Sequence, residues 1–121
     1  MPITPSTPEE MALRYEALRS HFESGATRGY AARRDALKSL GKALREYEPE
    51  VLEAMHLDMR KPAFEAYMSE LGLVHAEIRN TLKHLKEWMR PERVPTPLAL
   101  QVAESFIHRA PLGVVLIIGP W

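Results

Sequence analysis

Residues 113–119 read G-V-V-L-I-I-G, and this run decides the fold. Five aliphatic residues stand between two glycines, and no polar residue alternates with them. An unbroken apolar run of this length is typical of a parallel strand that is covered by helices on both faces. The run therefore predicts an α/β protein in which residues 113–119 form a buried strand of the sheet.

A buried parallel strand needs neighbours, and only residues 98–109 offer a second strand-like segment in this chain. Leaving five large aliphatic side chains in water would forgo roughly 8 to 15 kcal/mol, which is comparable to the stability of a whole domain. The sequence therefore predicts that the chain is an incomplete domain and that residues outside it complete the sheet.

Residues 8–90 carry four apolar stripes at helical spacing, which the prolines separate. The capping box of Thr7 and Glu10, with Pro8 at the first helical position, predicts where the first helix begins, and Gly25 predicts its end. Pro49 opens the third helix and Pro62 ends it. The stripes, which we expect to form the core, are Met11, Tyr15, Leu18 and Phe22; Tyr30, Leu37, Leu40, Leu44 and Tyr47; Val51, Leu52, Met55 and Met59; and Phe64, Tyr67, Leu71, Val74, Ile78, Leu82, Leu85 and Met89.

The helical region gives way to a proline-rich connector at residues 91–97, P-E-R-V-P-T-P, where prolines forbid a helix. Leu98, Leu100 and Val102 then alternate with smaller or polar residues, which indicates extended structure that continues through residues 105–109. Either a hairpin or one bent strand fits residues 98–110. The chain is thus expected to be mostly α-helical, with about four helices before the extended segments.

The composition excludes several classes of function. Lys and Arg total 16, as do Asp and Glu, and the charges are interspersed, so nucleic acid is not an expected partner. The aliphatic run at residues 114–118 is far shorter than the roughly 20 residues of a membrane-spanning helix. Residues 1–10 lack the apolar segment of a secretory signal, so we expect a cytoplasmic protein.

The residue types that usually carry catalysis or bind metals give little signal. There is no cysteine, which excludes disulfides, zinc–thiolate sites and a thiol nucleophile in these residues. Glu53 and His56 form a single E-x-x-H element, but a di-iron bundle needs two, so no metal site is expected. The histidines are scattered and are expected to be solvated; they are His21, His56, His75, His84 and His108.

Several motifs, taken in order, resemble the aldehyde dehydrogenases of the class-three type, which include fatty-aldehyde and coniferyl-aldehyde enzymes. The resemblance covers about residues 31–121. It rests most strongly on S-F-I-H-R-A-P-L-G-V-V-L-I-I-G-P-W at residues 105–121. The other motifs are R-R-D-A-L-K-S-L at 33–40, L-D-M-R-K-P at 57–62, E-A-Y-M-S-E at 65–70 and L-K-H-L-K-E-W-M at 82–89.

The resemblance implies that the parent protein oxidises an aldehyde to a carboxylic acid with NAD or NADP as cofactor. Residues 98–110 would belong to an arm used in homodimerisation, and residues 113–121 would be the first strand and turn of the cofactor-binding sheet. The turn would line the channel where nicotinamide meets substrate, through Ile118, Gly119, Pro120 and Trp121. Taken alone, these four residues are equally compatible with a plain strand end and turn.

The resemblance also implies that the catalytic residues lie after Trp121. Family members place an asparagine directly after this tryptophan to hold the oxyanion, then a glutamate as general base and a cysteine as nucleophile. The chain alone is therefore expected to be inactive. The competing hypothesis is a self-sufficient helical interaction module that binds a partner along its fourth helix. The aliphatic run at residues 114–118 speaks against it, because natural modules protect such edges with charge or proline.

Overall fold

The computed structural model describes residues 6–119 of the chain. Three helices come first, α1 (Pro8–Glu23), α2 (Tyr30–Glu46) and α3 (Glu48–Met59). The fourth, α4, runs through Ala63–Ala66, a π-helical turn at Tyr67–Leu71, and Gly72–Trp88. Two short strands follow, β1 (Glu92–Val94) and β2 (Ser105–Ile107). The prediction of a mostly helical chain with about four helices is confirmed.

The first helix begins and ends where its sequence predicts. The backbone N–H of Glu10 donates to the Thr7 hydroxyl at 3.2 Å, and the backbone N–H of Thr7 donates to the Glu10 carboxylate at 3.2 Å. The pKa of Glu9 is lowered because its carboxylate accepts hydrogen bonds, first from its own backbone and then from the Thr7 side chain. The helix stops before Gly25, whose φ of +78° is left-handed. Local capping chemistry therefore sets both ends of α1.

The core lies on the seam between α2 and α4. Gly41 of α2 is buried, and a Cβ atom built on it would lie 3.5 Å from Cγ2 of Ile78. The two helices therefore lie close together at Gly41, with room for one further methyl group in ordinary contact. The other buried side chains in the described residues all belong to α4, namely Ala66, Leu71, His75, Ile78 and Leu85.

The turn between α3 and α4 is built around Pro62. The helix α3 ends at Met59, and the next residue, Arg60, adopts a left-handed φ of 56° before the chain extends into the proline. Lys61 is largely buried at 17% exposure, and its Nζ atom lies 2.8 Å from the Glu70 carboxylate on the π-helical turn. This ion pair ties the end of α3 to the irregular section of α4.

Two glycines on the helices should respond in opposite ways to the same substitution. Gly41→Ala places its methyl group in ordinary contact with Ile78, so we expect the free energy of unfolding to rise by up to about 1 kcal/mol. Gly72→Ala places its methyl group 2.9 Å from the backbone oxygen of Tyr67, so we expect a loss of about 1 to 3 kcal/mol. Urea denaturation of both variants measures the difference. Equal shifts in the same direction would contradict this account of the seam and the π-helical turn.

The prediction that every apolar stripe forms core is wrong for α1 and for α3, neither of which contains a buried residue. Met11, Tyr15 and Leu18 are 54%, 50% and 57% exposed, and no residue of α1 is buried. An amphipathic helix buries its stripe only where a second element covers it. Among the described residues, α2 and α4 provide that cover for each other, whereas the stripe of α1 stays largely uncovered.

The predicted strand at residues 98–102 is also wrong. Leu98–Leu100 form a 3₁₀ turn, and the strands that pair are β1 and β2, antiparallel with Arg93 opposite Phe106. The predicted proline-rich connector thus supplies one strand of the hairpin. Pro97 adopts a φ of −54° immediately before the 3₁₀ turn, where its fixed φ suits turn formation. The structure thus shows a hairpin and not one bent strand, and the first strand of the hairpin lies earlier in the sequence than predicted.

Residues 113–119 form no strand ladder with any other part of the described chain. Leu116, Ile117 and Ile118 are 84%, 86% and 85% exposed. The apolar run therefore pairs with no strand among residues 6–119, and its role as the first strand of a larger sheet stays a prediction.

Candidate functional site

The segment that carries the predicted site begins against the second half of α1. Gly113 has a φ of +107°, and a Cβ atom built on it would lie 3.6 Å from a ring carbon of Phe22. Leu18, Phe22 and Val114 line the same shallow groove of about 240 Å³. Glycine is suited to this point because the backbone is left-handed and runs close to an aromatic ring. The contact holds the start of the apolar run and leaves the rest of it in solvent.

The structure places two of the four predicted site residues. Ile118 is 85% exposed, and no atom lies within 4 Å of a Cβ atom built on Gly119. Pro120 and Trp121 lie outside the described residues. Ile118 and Gly119 therefore lie at the exposed end of the segment, and the described residues do not enclose a site around them.

Ile118 and Gly119 suit contact with the nicotinamide ring of a dinucleotide but not with its phosphates. An exposed aliphatic side chain can form an apolar wall beside a nicotinamide ring, and a glycine with open space around it lets a ligand approach the backbone. Neither side chain offers a donor for a phosphate oxygen. These two residues are consistent with contact at the nicotinamide end of NAD or NADP.

His75 is the polar residue that sequence reasoning misjudged. It is 7% exposed rather than solvated, and its Nε2 atom is buried with no hydrogen-bond partner. The signal was present in the sequence, because His75 stands four residues after Leu71 and three before Ile78, on the same face of α4. Three other histidines are exposed as expected, His21, His56 and His108.

His84 and Trp88 form a stacked pair on α4. Their ring centroids lie 5.6 Å apart, and the His84 Nδ1 atom lies 2.9 Å from the backbone oxygen of Asn80. Glu87, Trp88 and Arg109 line a broad groove at the base of the hairpin, where Arg109 donates to Glu92 at 2.6 Å. This ion pair joins the two sides of the hairpin at the edge of the groove.

Two further findings concern the described part of the chain. Nowhere in residues 6–119 do three or more His, Asp or Glu side chains gather in a way that could hold a metal ion, which includes the region of Glu53 and His56. Over the same range, none of the helices has both the length and the apolar character of a membrane span.

The described chain is a helical region that leads through a hairpin into an exposed, uncharged apolar segment. Residues 2–121 match the aldehyde dehydrogenase family. The chain belongs to this family, and the resemblance found in its motifs is confirmed.

Individual relatives agree with the family match. Aldehyde dehydrogenase family 3 member B1 of Homo sapiens is 40% identical over 104 residues, which cover 86% of this chain and 22% of that protein. The 4,4'-diaponeurosporen-aldehyde dehydrogenase of Staphylococcus aureus is 38% identical over 103 residues, covering 85% and 22% respectively. The chain thus spans about 22% of the length of these relatives.

A solved structure shows the same fold. The substrate-bound state of Staphylococcus aureus AldH superposes with a TM-score of 0.79 at 33% sequence identity, over 81% of this chain and 21% of that one. The helices and hairpin described above are therefore a part of the aldehyde dehydrogenase fold.

Proposed function

We propose that this chain is the amino-terminal part of an NAD(P)-dependent aldehyde dehydrogenase that oxidises an aldehyde to a carboxylic acid. The observation that carries the proposal is the family match over residues 2–121, together with the structural likeness to an aldehyde dehydrogenase at a TM-score of 0.79.

The residues of this chain would shape the channel rather than perform chemistry. Bound NAD or NADP would accept a hydride from the substrate. Ile118 would form an apolar wall that excludes water from the reacting carbon, and Gly119 would allow close approach to the backbone. The resemblance extends this role to Pro120 and Trp121, at the carboxyl end of a strand, where ligands bind in open α/β sheets.

The hairpin of β1 and β2 is the proposed dimerisation element. Phe106 and Ile107 of β2 are each 45% exposed. Two ion pairs brace the hairpin, Arg93 with Glu104 at 2.7 Å and Arg109 with Glu92 at 2.6 Å. A braced hairpin with exposed apolar side chains suits contact with a second subunit, which supports a homodimer in the complete enzyme.

Residues 1–121 by themselves should show no NAD(P)-dependent aldehyde oxidation. They contain no cysteine, and the proposed reaction requires a thiolate that attacks the carbonyl carbon before hydride transfer. The test compares purified residues 1–121 with the protein expressed from its complete reading frame, using aliphatic and aromatic aldehydes and either cofactor. Turnover by residues 1–121 above a buffer blank, with contaminating enzyme excluded, would overturn the proposed inactivity.

A further inference from the structure

The groove between α2 and α4 gathers positive charge in a chain that has no net charge. It has a volume of about 310 Å³, and its lining includes Lys38 and Arg45 from α2 and Arg79 from α4. Formal charges over the whole sequence cancel, with 16 basic and 16 acidic residues. Three cations around one concave site therefore create a local positive potential.

These three cations have no acidic partner among residues 6–119. The salt bridges of the described chain join other residues, such as Lys61 with Glu70 and Arg93 with Glu104. An arginine or lysine that protein carboxylates do not neutralise keeps its hydrogen-bond donors available for an external anion. Within residues 6–119, the charge in the groove is therefore available to an anion.

The floor of the groove contains one polar side chain, His75. Gly41, His75 and Ile78 line it, and the His75 Nε2 atom is buried without a partner in the described structure. The Arg45 guanidinium lies beside this floor, 3.6 Å from where a Cβ atom on Gly41 would stand. The Nε2 atom itself has almost no accessible surface, so an anion in the groove would contact the Arg45 guanidinium above it and not this atom.

We propose that the groove binds a small phosphorylated anion, meaning inorganic phosphate or the phosphate group of a small monoester. Its volume lies at the lower end of the range for ligand pockets, roughly 300 to 1,000 Å³, which suits a small molecule better than a macromolecular surface. Lys38, Arg45 and Arg79 supply charge-assisted donors, and arginine pairs with phosphate through two parallel hydrogen bonds. The site is distinct from the segment at Ile118 and Gly119 and does not depend on aldehyde oxidation.

Calorimetric titration of the protein from its complete reading frame tests the site. The probes are inorganic phosphate, glycerol phosphate and, as a neutral control, glycerol, all at constant ionic strength. We expect saturable binding of one or both phosphates and no binding of glycerol. Tighter binding of glycerol phosphate would identify a monoester as the ligand class. Equal binding of the two would identify free phosphate. Saturating NAD or NADP should leave this binding unchanged, and competition between them would overturn the proposal.

Matched variants separate this site from general surface charge. Lys38→Gln combined with Arg79→Gln should weaken phosphate binding by at least about tenfold, because two charged donors are lost. Lys42→Gln combined with Lys83→Gln removes the same charge from the same helices outside the groove lining and should leave binding unchanged. Circular dichroism checks that all variants fold. Equal weakening in both pairs, or no saturable binding by the unaltered protein, would overturn the proposal.

Discussion

Replacing the residue directly after Trp121 with alanine should lower aldehyde turnover by about a hundredfold or more in the complete protein. We expect this residue to be an asparagine, because the family resemblance places the oxyanion-holding amide there. A strand that ends in Gly119 and Pro120 would put the next residue at the carboxyl edge of the sheet, where cofactor and substrate meet. A neutral amide that donates to the developing oxyanion stabilises the transition state more than it stabilises bound cofactor.

A separate measurement of turnover and cofactor affinity gives this prediction its control. The variant in which alanine replaces this asparagine should retain its dissociation constant for NAD or NADP. Trp121→Ala should disturb both turnover and cofactor affinity, since Trp121 is proposed to line the channel itself. A parent sequence without asparagine at that position, or an alanine variant within a few fold of normal turnover, would contradict the proposed site.

Leu116→Lys should greatly improve the solubility of residues 1–121 expressed alone, without loss of helix signal. Val115, Leu116 and Ile117 are 61%, 84% and 86% exposed, and the run at residues 114–118 carries no charge. Exposed segments of high β-propensity without charge or proline are prone to aggregate. A single lysine within the run introduces the charge that natural edge strands use against such association.

Leu13→Lys is the matched control for this second prediction. Leu13 is 73% exposed on α1, outside the apolar run, so its replacement should leave self-association unchanged. Analytical ultracentrifugation over a range of concentrations measures the effect. If the unaltered chain is a cooperatively melting monomer at high concentration, the run is not an aggregation surface and the interaction-module hypothesis gains support.

The features that the sequence predicts correctly are determined by near neighbours along the chain. Thr7 and Glu10 define the start of α1 because both partners of the capping box lie within one turn. Pro62 ends α3 because a proline restricts the residue before it. These constraints act over a few residues, so a pattern in the sequence is sufficient to find them.

The features that the sequence missed depend on partners that are distant in the chain. Glu92–Val94 forms a strand only because Ser105–Ile107 returns to pair with it, and three residues carry no periodic signal of their own. The burial of His75 likewise depends on the packing of α2 against α4. The alternation of Leu98, Leu100 and Val102 was misleading because no strand pairs with it.

The candidate site was found from motif resemblance, and the structure of these residues alone would not have indicated it. Ile118 and Gly119 lie at an open segment end with no polar group that marks them as functional. A channel between cofactor and substrate is formed by several strands and loops together. Under the proposed function, residues 6–119 would contribute one wall of this channel, and the other walls would determine what the site binds.

The most direct test of the central claim uses the protein from its complete reading frame. It measures aldehyde-dependent reduction of NAD or NADP before and after thiol alkylation. Residues 1–121 contain no cysteine, so alkylation can act only on residues beyond them. We expect clear reduction of at least one cofactor and its loss after alkylation, because the proposed nucleophile is a thiolate. No aldehyde-dependent reduction, or reduction that survives complete alkylation, would contradict the claim that this chain serves a thiol-dependent aldehyde dehydrogenase.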